Sequence, residues 1–170
     1  MSATDVIKNL DELKSIVAKW KSAGEKVVFT NGVFDILHLG HVDYLTKAKA
    51  LGDRLIVAVN SDASTKRLSK GPERPLQPEV ARAALIGSLK PVDATLIFDE
   101  DTPLSLIEEL LPDVLVKGGD YNPQETDKNS KSYIVGAAEV KSKGGTVEAI
   151  EFVKGFSTTS IVDKIKKAGQ

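Results

Sequence analysis

The chain has two histidines, His38 and His41, and they lie three positions apart with Gly40 between them. If a helix begins near His38, both imidazoles lie on one face of its first turn. The N–H groups of a helix N-terminus attract anions, and imidazole nitrogens can donate hydrogen bonds to phosphate oxygens. Gly40 has no Cβ, so a phosphate can approach the turn closely. The spacing therefore predicts a phosphate-binding turn.

Two other interpretations of the histidine pair are open. A His-x-x-His pair can bind a metal ion, but the chain offers no third His and no Cys as a further ligand. The pair can also be two ordinary residues at a helix N-terminus. This second interpretation is weakened because Thr30, Asn31, Gly32 and Asp35 crowd the same segment.

The composition excludes several classes of protein. The 170 residues carry 23 Lys and Arg against 24 Asp and Glu, a formal charge of −1, whereas a chain that coats nucleic acid normally has a basic excess. The absence of Cys excludes disulfides, zinc fingers, iron–sulfur clusters and thiol nucleophiles. No apolar run reaches the roughly 18 residues of a transmembrane helix. We therefore expect a cytoplasmic protein that binds neither nucleic acid nor a membrane.

Short apolar runs alternate with amphipathic stretches along the chain, which predicts strands alternating with helices. The predicted strands cover 27–29, 55–59, 94–98, 114–116 and 147–152. The predicted helices cover 5–22, 40–51, 78–89, 102–111, 131–143 and 157–167. Thr102 is the expected N-cap of the fourth helix. The polar stretch 119–132 is predicted to be a mobile loop.

Strands that are apolar on both faces belong to a parallel sheet that helices cover on both sides. We therefore expect an α/β fold, a Rossmann-like doubly wound five-stranded parallel sheet with helices on both faces. A single domain is expected over 1–170, with an N-terminal helix in 1–22 and the functional core in 25–168. In such folds the ligand lies at the carboxyl ends of the strands.

Several polar residues follow the predicted strands. Thr30 and Asn31 end the first strand and are expected to reach a bound phosphate. The loop after the second strand carries the cations Lys66, Arg67, Lys70 and Arg74, of which Lys70 is the strongest candidate for a phosphate contact. The paired glycines after the fourth strand indicate a close approach of backbone to ligand. The hydroxyls of 157–159 suit either simple helix capping or contact with a phosphate or a ribose.

The segment 32–41, Gly-Val-Phe-Asp-Ile-Leu-His-Leu-Gly-His, resembles the Gly-x-Phe-Asp-x-x-His-x-Gly-His signature of the HxGH nucleotidyltransferase superfamily at every signature position. Four further blocks follow in family-like order, Asn-Ser-Asp at 60–62, Lys-Gly-Pro-Glu-Arg-Pro at 70–75, Lys-Gly-Gly-Asp-Tyr at 117–121 and Ser-Thr-Thr-Ser-Ile at 157–161. The Asn-Ser-Asp and Lys-Gly-Gly-Asp-Tyr blocks point within the superfamily to the adenylyltransferases that act on heptose 1-phosphate. The similarity covers about 25–168, almost the whole chain.

The resemblance implies transfer of AMP from ATP to D-glycero-D-manno-heptose 1-phosphate, with Mg²⁺ as the cofactor and a homodimer as the assembly. Position and resemblance together predict catalytic roles for His38, His41, Lys70 and Thr30. The predicted nucleotide-binding residues are Asn31, Gly32, Phe34, Asp35, Gly40, Lys117, Gly119, Asp120, Ser157, Thr158 and Thr159. The predicted substrate-binding residues are Asn60, Asp62, Arg74, Arg82 and Tyr121.

Two alternatives to this function are open. Glycerol-phosphate cytidylyltransferases carry Arg-Thr shortly before Ser-Thr-Thr, whereas this chain has Phe152-Val153-Lys154 there, which disfavours a cytidylyl donor. Transfer of CMP or AMP to another phosphorylated acceptor, such as glycerol 3-phosphate, is the first alternative. The second is a domain that senses ATP without turning it over, and the intact His-x-Gly-His segment argues against it.

Overall fold

The computed structural model describes residues 4–68 and 73–169. Within these residues the strands are β1 (Val27–Gly32), β2 (Arg54–Asn60), β3 (Ala94–Phe98), β4 (Val114–Gly118) and β5 (Thr146–Ile150). They form one parallel sheet in the order β3-β2-β1-β4-β5. The chain adds β2 and β3 on one side of β1 and then returns to add β4 and β5 on the other. The strand order therefore reverses between β1 and β4, which confirms the doubly wound parallel sheet.

The described helices are α1 (Leu10–Ser22), α2 (Leu39–Lys49), α3 (Asp62–Arg67), α4 (Glu79–Gly87), α5 (Leu104–Leu110), α6 (Ala137–Ser142) and α7 (Thr158–Ala168). Successive residues of β1 point to opposite faces of the sheet, so Phe29 enters one core cluster and Val28 the other. Phe29 packs in the cluster that holds residues of α1, α5 and α6. Val28 packs in the cluster that holds residues of α2 and α4. Helices therefore cover both faces, as predicted.

Strand β1 continues three residues beyond its predicted end. Thr30, Asn31 and Gly32 pair in register with β2, opposite Val57, Ala58 and Val59. The pairing of the backbone extends the strand through polar residues that the apolar run alone did not include. Thr30 and Asn31 therefore lie in β1, which ends at Gly32.

Helix α1 begins at Leu10, five residues later than predicted. Asn9 is its N-cap, because the Asn9 side chain accepts a hydrogen bond from the Glu12 N–H at 2.9 Å and the Glu12 carboxylate accepts one from the Asn9 N–H at 3.0 Å. Ile7, whose spacing fitted the helix, instead forms a parallel bridge with Thr95 of β3. The capping box of Asn9 and Glu12 therefore sets the start of α1, although the spacing of Ile7 fitted an earlier start.

Three other expectations about helices were wrong. Helix α6 begins at Ala137 and not at 131, because Gly136 has a φ of 88° and interrupts any helix that would cross it. The short helix α3 was not predicted, and the Ser61 side chain caps it by accepting from the Ser64 N–H at 2.9 Å. Thr102 is not the N-cap of α5, since Pro103 occupies that position without a side-chain bond.

The remaining elements begin and end within two residues of their predicted bounds. None of the helices in residues 4–68 and 73–169 is long and apolar enough to cross a membrane.

Candidate active site

A cavity of about 560 Å³ opens at the carboxyl ends of the strands, where the strand order reverses. Such a crevice is the usual ligand site of a doubly wound sheet. Segments that follow all five strands contribute to its wall. The lining residues are Asn31, Gly32, Val33, Phe34, Asp35, His41, Tyr44, Asn60, Leu68, Arg74, Asp101, Thr102, Pro103, Lys117, Gly118, Asp120, Tyr121, Lys131, Tyr133, Val135, Phe152 and Thr158.

The N-terminus of α2 lies at this cavity. His38 is the N-cap residue, but its side chain makes no capping hydrogen bond, so it does not occupy the N–H groups of the first turn. Gly40 in that turn is buried, and a Cβ there would lie 3.0 Å from the His38 ring and 3.3 Å from the Phe156 carbonyl oxygen. A side chain at position 40 would therefore crowd the His38 ring and the Phe156 backbone. The N–H groups and the positive end of the helix favour an anion here.

The imidazole rings of His38 and His41 stack at the start of α2. Their centroids are 3.8 Å apart and their planes differ by 20°. His41 lines the cavity, whereas His38 does not and lies against Gly40. Burial lowers the pKa of His38 below its usual range, and among the described residues its buried Nδ1 has no hydrogen-bond partner. The structure therefore brings the two histidines together at the start of α2, as predicted.

The ring of Phe34 packs against the ring of His41. The two rings meet edge to face, with centroids 5.2 Å apart and planes at 68°. Phe34 adopts a left-handed φ of 51°, and a Cβ on Gly32 would come within 3.0 Å of the Phe34 ring. A side chain at position 32 would therefore crowd the Phe34 ring. Phe34 packs in the α2 cluster and at the same time lines the cavity.

Asp35 ties this turn to the segment after α3. Its carboxylate accepts hydrogen bonds from the N–H groups of Leu76 at 2.8 Å and Gln77 at 3.0 Å, and it is ion-paired with Arg74 at 2.6 Å. Burial would raise the pKa of Asp35, but these two N–H donors and the Arg74 guanidinium together hold it below its usual range. Asp35 therefore positions Arg74 at the cavity.

Arg82 was predicted to contact the substrate, but it is not among the residues that line the cavity. Its side chain is fully buried and donates to the Val33 carbonyl at 2.6 Å, the Gln77 carbonyl at 2.9 Å and the Asp62 carboxylate at 2.7 Å. These partners come from three different segments, and one of them, Val33, lines the cavity. Arg82 is therefore a positioning residue that joins the segments. Asp62, also predicted to bind substrate, is not among the cavity-lining residues.

Thr30 was predicted to be catalytic, but it does not reach the cavity. It is fully buried, and its Oγ1 is hydrogen-bonded to the Tyr44 hydroxyl at 2.7 Å. Burial raises the pKa of the Tyr44 hydroxyl, so this group stays protonated and available to the bond. Thr30 therefore holds Tyr44, and Tyr44 rather than Thr30 lines the cavity.

Strand β4 brings a second group of predicted residues to the cavity. Lys117 donates a hydrogen bond to the Asn31 Oδ1 across the gap between β4 and β1, and its ammonium lies 5.5 Å from the centroid of the Tyr121 ring. Asp120 and Tyr121 line the cavity beside it. Gly119 does not line it, and its N–H donates to the Ile150 carbonyl of β5 at 2.8 Å. The predicted ligand contact of Gly119 is thus replaced by a sheet hydrogen bond.

At the start of α7 the hydroxyls divide into two roles. Ser157 caps the helix by accepting from the Ser160 N–H at 3.0 Å, which is the simple capping role. Thr158 is 8% exposed and lines the cavity, whereas Thr159 is exposed and lies outside it. Asn60, at the end of β2, also lines the cavity and donates to the Ser64 hydroxyl at 3.0 Å. Lys70 lies outside the described residues.

A family model described as cytidylyltransferase-like matches residues 29–164. The chain belongs to the cytidylyltransferase-like family. The matched span contains the His38 and His41 turn, all the strand ends that line the cavity and the start of α7.

Curated relatives of this cytidylyltransferase-like chain are longer proteins. The bifunctional protein HldE of Geotalea uraniireducens (strain Rf4) is 55% identical over 160 residues, which are 94% of this chain and 31% of the relative. The bifunctional protein HldE of Yersinia pestis (strain Pestoides F) is 55% identical over 155 residues, 91% of this chain and 31% of the relative. The chain thus spans about a third of the length of these relatives.

A solved structure shares the cytidylyltransferase-like fold. The lipopolysaccharide core biosynthesis protein of Thermoplasma volcanium GSS1 superposes with a TM-score of 0.59 and is 32% identical. The match covers 78% of this chain and all of that protein. At this identity the likeness supports a common family as well as a common fold.

Several cavity residues of this cytidylyltransferase-like chain were not predicted from its sequence. Phe152 is 53% exposed, lines the cavity and covers Gly118, where a Cβ would lie 1.9 Å from Phe152 Cζ. The doubled glycine was a signal for a close approach, but the approaching group is a side chain of this protein. The other unpredicted lining residues are Val33, Tyr44, Leu68, Asp101, Thr102, Pro103, Lys131, Tyr133 and Val135.

Proposed function

We propose that this chain is an adenylyltransferase that moves AMP from ATP to a sugar 1-phosphate, with D-glycero-D-manno-heptose 1-phosphate as the acceptor. An oxygen of the sugar phosphate attacks the α-phosphorus of ATP. The bond between that phosphorus and the oxygen leading to the β-phosphate breaks, and pyrophosphate leaves. The product is ADP-heptose, a precursor for lipopolysaccharide cores or other surface glycans.

The observation that carries the proposal is the position of the α2 N-terminus in the cavity. The glycine turn and His41 offer an anion site there, and Lys117 and Arg74 add positive charge from β4 and from the segment after α3. Transfer of a phosphorus centre needs little covalent chemistry from the protein, because positioning and charge stabilisation supply most of the catalysis. A chain without Cys suits such a reaction.

The choice of acceptor is supported by similarity. The relatives are named bifunctional protein HldE, and the structural relative is described as a lipopolysaccharide core biosynthesis protein. The Lys-Gly-Gly-Asp-Tyr and Asn-Ser-Asp blocks resemble the heptose 1-phosphate adenylyltransferases. Since the chain spans about a third of the relatives, we assign it only the nucleotidyl transfer step.

Mg²⁺ is the cofactor that we propose. The described residues contain no group of three or more His, Cys, Asp or Glu that could hold a metal ion. Mg²⁺ usually keeps several waters and binds substrate phosphates with one or two carboxylates, so a protein cage is not required. Asp120 is the cavity carboxylate that fits this role, since Asp35 and Asp101 are ion-paired with Arg74 and Arg67. The bound ion would neutralise charge on the phosphates.

We also propose catalytic roles for His38, His41 and Lys70, a homodimeric assembly and a cytoplasmic location. The binding assignments for the residues that line the cavity are part of the proposal.

The test is pyrophosphate release from ATP and, in parallel, from CTP, against a panel of sugar 1-phosphates and glycerol 3-phosphate. We expect release with ATP and the heptose 1-phosphate, and none without an acceptor. Release mainly with CTP or glycerol 3-phosphate would assign a different transfer reaction. Measurable ATP binding without release in the presence of any acceptor would favour a sensor domain and contradict the proposal.

A further inference from the structure

The connection between β4 and α6 forms one wall of the cavity, and the function proposed above leaves part of that wall without a role. Three residues of the connection, Lys131, Tyr133 and Val135, line the cavity. Lys131 is exposed, and Tyr133 and Val135 are half-buried. The side chains offer a cation, a hydroxyl and an apolar surface within five positions of the chain.

This wall is anchored to the protein core. The Asn122 N–H donates to the Ser132 carbonyl at 2.9 Å. This hydrogen bond links the early part of the connection to its later part. Ile134 is fully buried in the core cluster that contains α5. Gly136 packs on α5 so closely that a Cβ there would lie 2.5 Å from the Ile107 Cδ1. The residues beside Ile134 are therefore held at the cavity by core packing.

Lys131 differs from the other cavity cations in its partners. Arg74 is ion-paired with Asp35 at 2.6 Å, and Lys117 donates to the Asn31 side chain. Among the described residues, Lys131 makes neither an ion pair nor a hydrogen bond. An ammonium at a cavity wall without a protein anion can bind an anionic ligand without first breaking another contact.

The two sides of the cavity belong to opposite faces of the sheet. The side with the α2 N-terminus packs through Phe34 and Tyr44 in one core cluster, whereas the Lys131 side packs through Ile134 in the other. In phosphoryl-type transfer the attacking and leaving oxygens lie roughly in line on opposite sides of the phosphorus. If the leaving pyrophosphate lies at the α2 N-terminus, the acceptor must approach from the side of Lys131.

We propose that Lys131 and Tyr133 form the acceptor subsite, an inference that rests on the proposed transfer reaction. The Lys131 ammonium binds the oxygens of the acceptor phosphate that do not attack, which keeps this dianion beside the α-phosphorus. The Tyr133 hydroxyl bonds a sugar hydroxyl, and Val135 contacts the carbon face of the sugar. The ligand class is therefore a phosphorylated sugar or polyol.

The test compares Lys131→Met with Lys128→Met, because Lys128 is an exposed cation of the same connection that does not line the cavity. Loss of a charged hydrogen bond should raise the KM for the acceptor about 10- to 100-fold in Lys131→Met. The KM for ATP should stay within about twofold, since only acceptor binding is lost. Lys131→Arg should restore most of the affinity. An unchanged acceptor KM, or a change confined to ATP, would overturn the subsite.

A further set of measurements tests the subsite whether or not the heptose phosphate is the acceptor. If wild-type protein turns over only another phosphorylated acceptor, the heptose assignment fails, and the same KM comparison is made with that acceptor. If no acceptor turns over, sugar 1-phosphates are titrated calorimetrically into protein bound to α,β-methylene ATP. Binding that Lys131→Met abolishes and Lys128→Met keeps supports the subsite. Absent binding, or binding that survives Lys131→Met, contradicts it.

Discussion

The ring of Phe152 covers Gly118 at the cavity wall, and a Cβ on Gly118 would lie 1.9 Å from Phe152 Cζ. The ring also lies 5.5 Å from the Tyr44 ring, with the planes at 46°. The glycine at the end of β4 thus sets the position of an aromatic residue that follows β5. This contact joins the last two strands at the cavity.

Gly118→Ala is expected to displace Phe152 and to lower kcat/KM. Misplacement of a cavity residue by about 1 Å can cost up to about 100-fold, and we expect a loss of at least about tenfold. The matched comparison is the same change in a Phe152→Ala background, where the clash is absent and Gly118→Ala should cost little more. Steady-state kinetics and thermal melting of all three variants decide this. If Gly118→Ala lowers kcat/KM equally in the wild-type and Phe152→Ala backgrounds, a clash with the Phe152 ring does not cause the loss.

His38→Ala and His41→Ala are each expected to lower kcat about 100-fold, the usual cost of one donor to transition-state charge. Both residues lie at the N-terminus of α2, so the fold should survive, and circular dichroism with thermal melting checks this. Near wild-type turnover in either variant would remove that residue from the catalytic group. Since His38 lies behind His41, a smaller loss in His38→Ala would make it a positioning residue.

Binding of ATP is expected to take up protons through His38. Burial holds the pKa of free His38 below its usual range, which favours the uncharged ring in the free protein. A nearby triphosphate favours the charged ring and raises this pKa in the complex. The pKa of His38 is therefore higher in the ATP complex than in the free protein. Affinity for ATP should increase as the pH falls between these two values, because the complex takes up a proton that the free protein does not.

Calorimetric titration in two buffers of equal pH but different ionisation enthalpy measures this proton uptake. Because ATP phosphates also titrate, the informative quantity is the difference in proton uptake between wild type and His38→Ala. The variant should bind ATP with less proton uptake. The same uptake in both proteins would rule out His38 as the titrating group.

Thr30→Val is expected to reduce stability without a large effect on turnover. The substitution leaves the buried Tyr44 hydroxyl without its partner at 2.7 Å, which should cost about 1–3 kcal/mol in the free energy of unfolding. Denaturant melts measure this cost, and Thr30→Ser, which keeps the hydroxyl, is the control. A fall in kcat of about 100-fold would instead support the direct catalytic role predicted from the sequence.

Local patterns allowed much of the fold to be predicted. The order of strands and helices follows from hydrophobic period, and the sheet type follows from strands that are apolar on both faces. Helix boundaries were less predictable. Asn9 and Gly136 set where α1 and α6 begin, through a capping bond and a left-handed φ, and the spacing of apolar residues does not show either feature.

The sequence by itself determined the sheet, the location of the His38 and His41 turn and the family, because each depends on residues that are neighbours along the chain. Only the tertiary structure decided that Arg82 and Thr30 lie behind the cavity wall, and that Phe152 and Lys131 lie at it. These positions depend on which loops meet at the carboxyl edge of the sheet. The meeting of distant segments is set by core packing and strand order, which no local pattern contains.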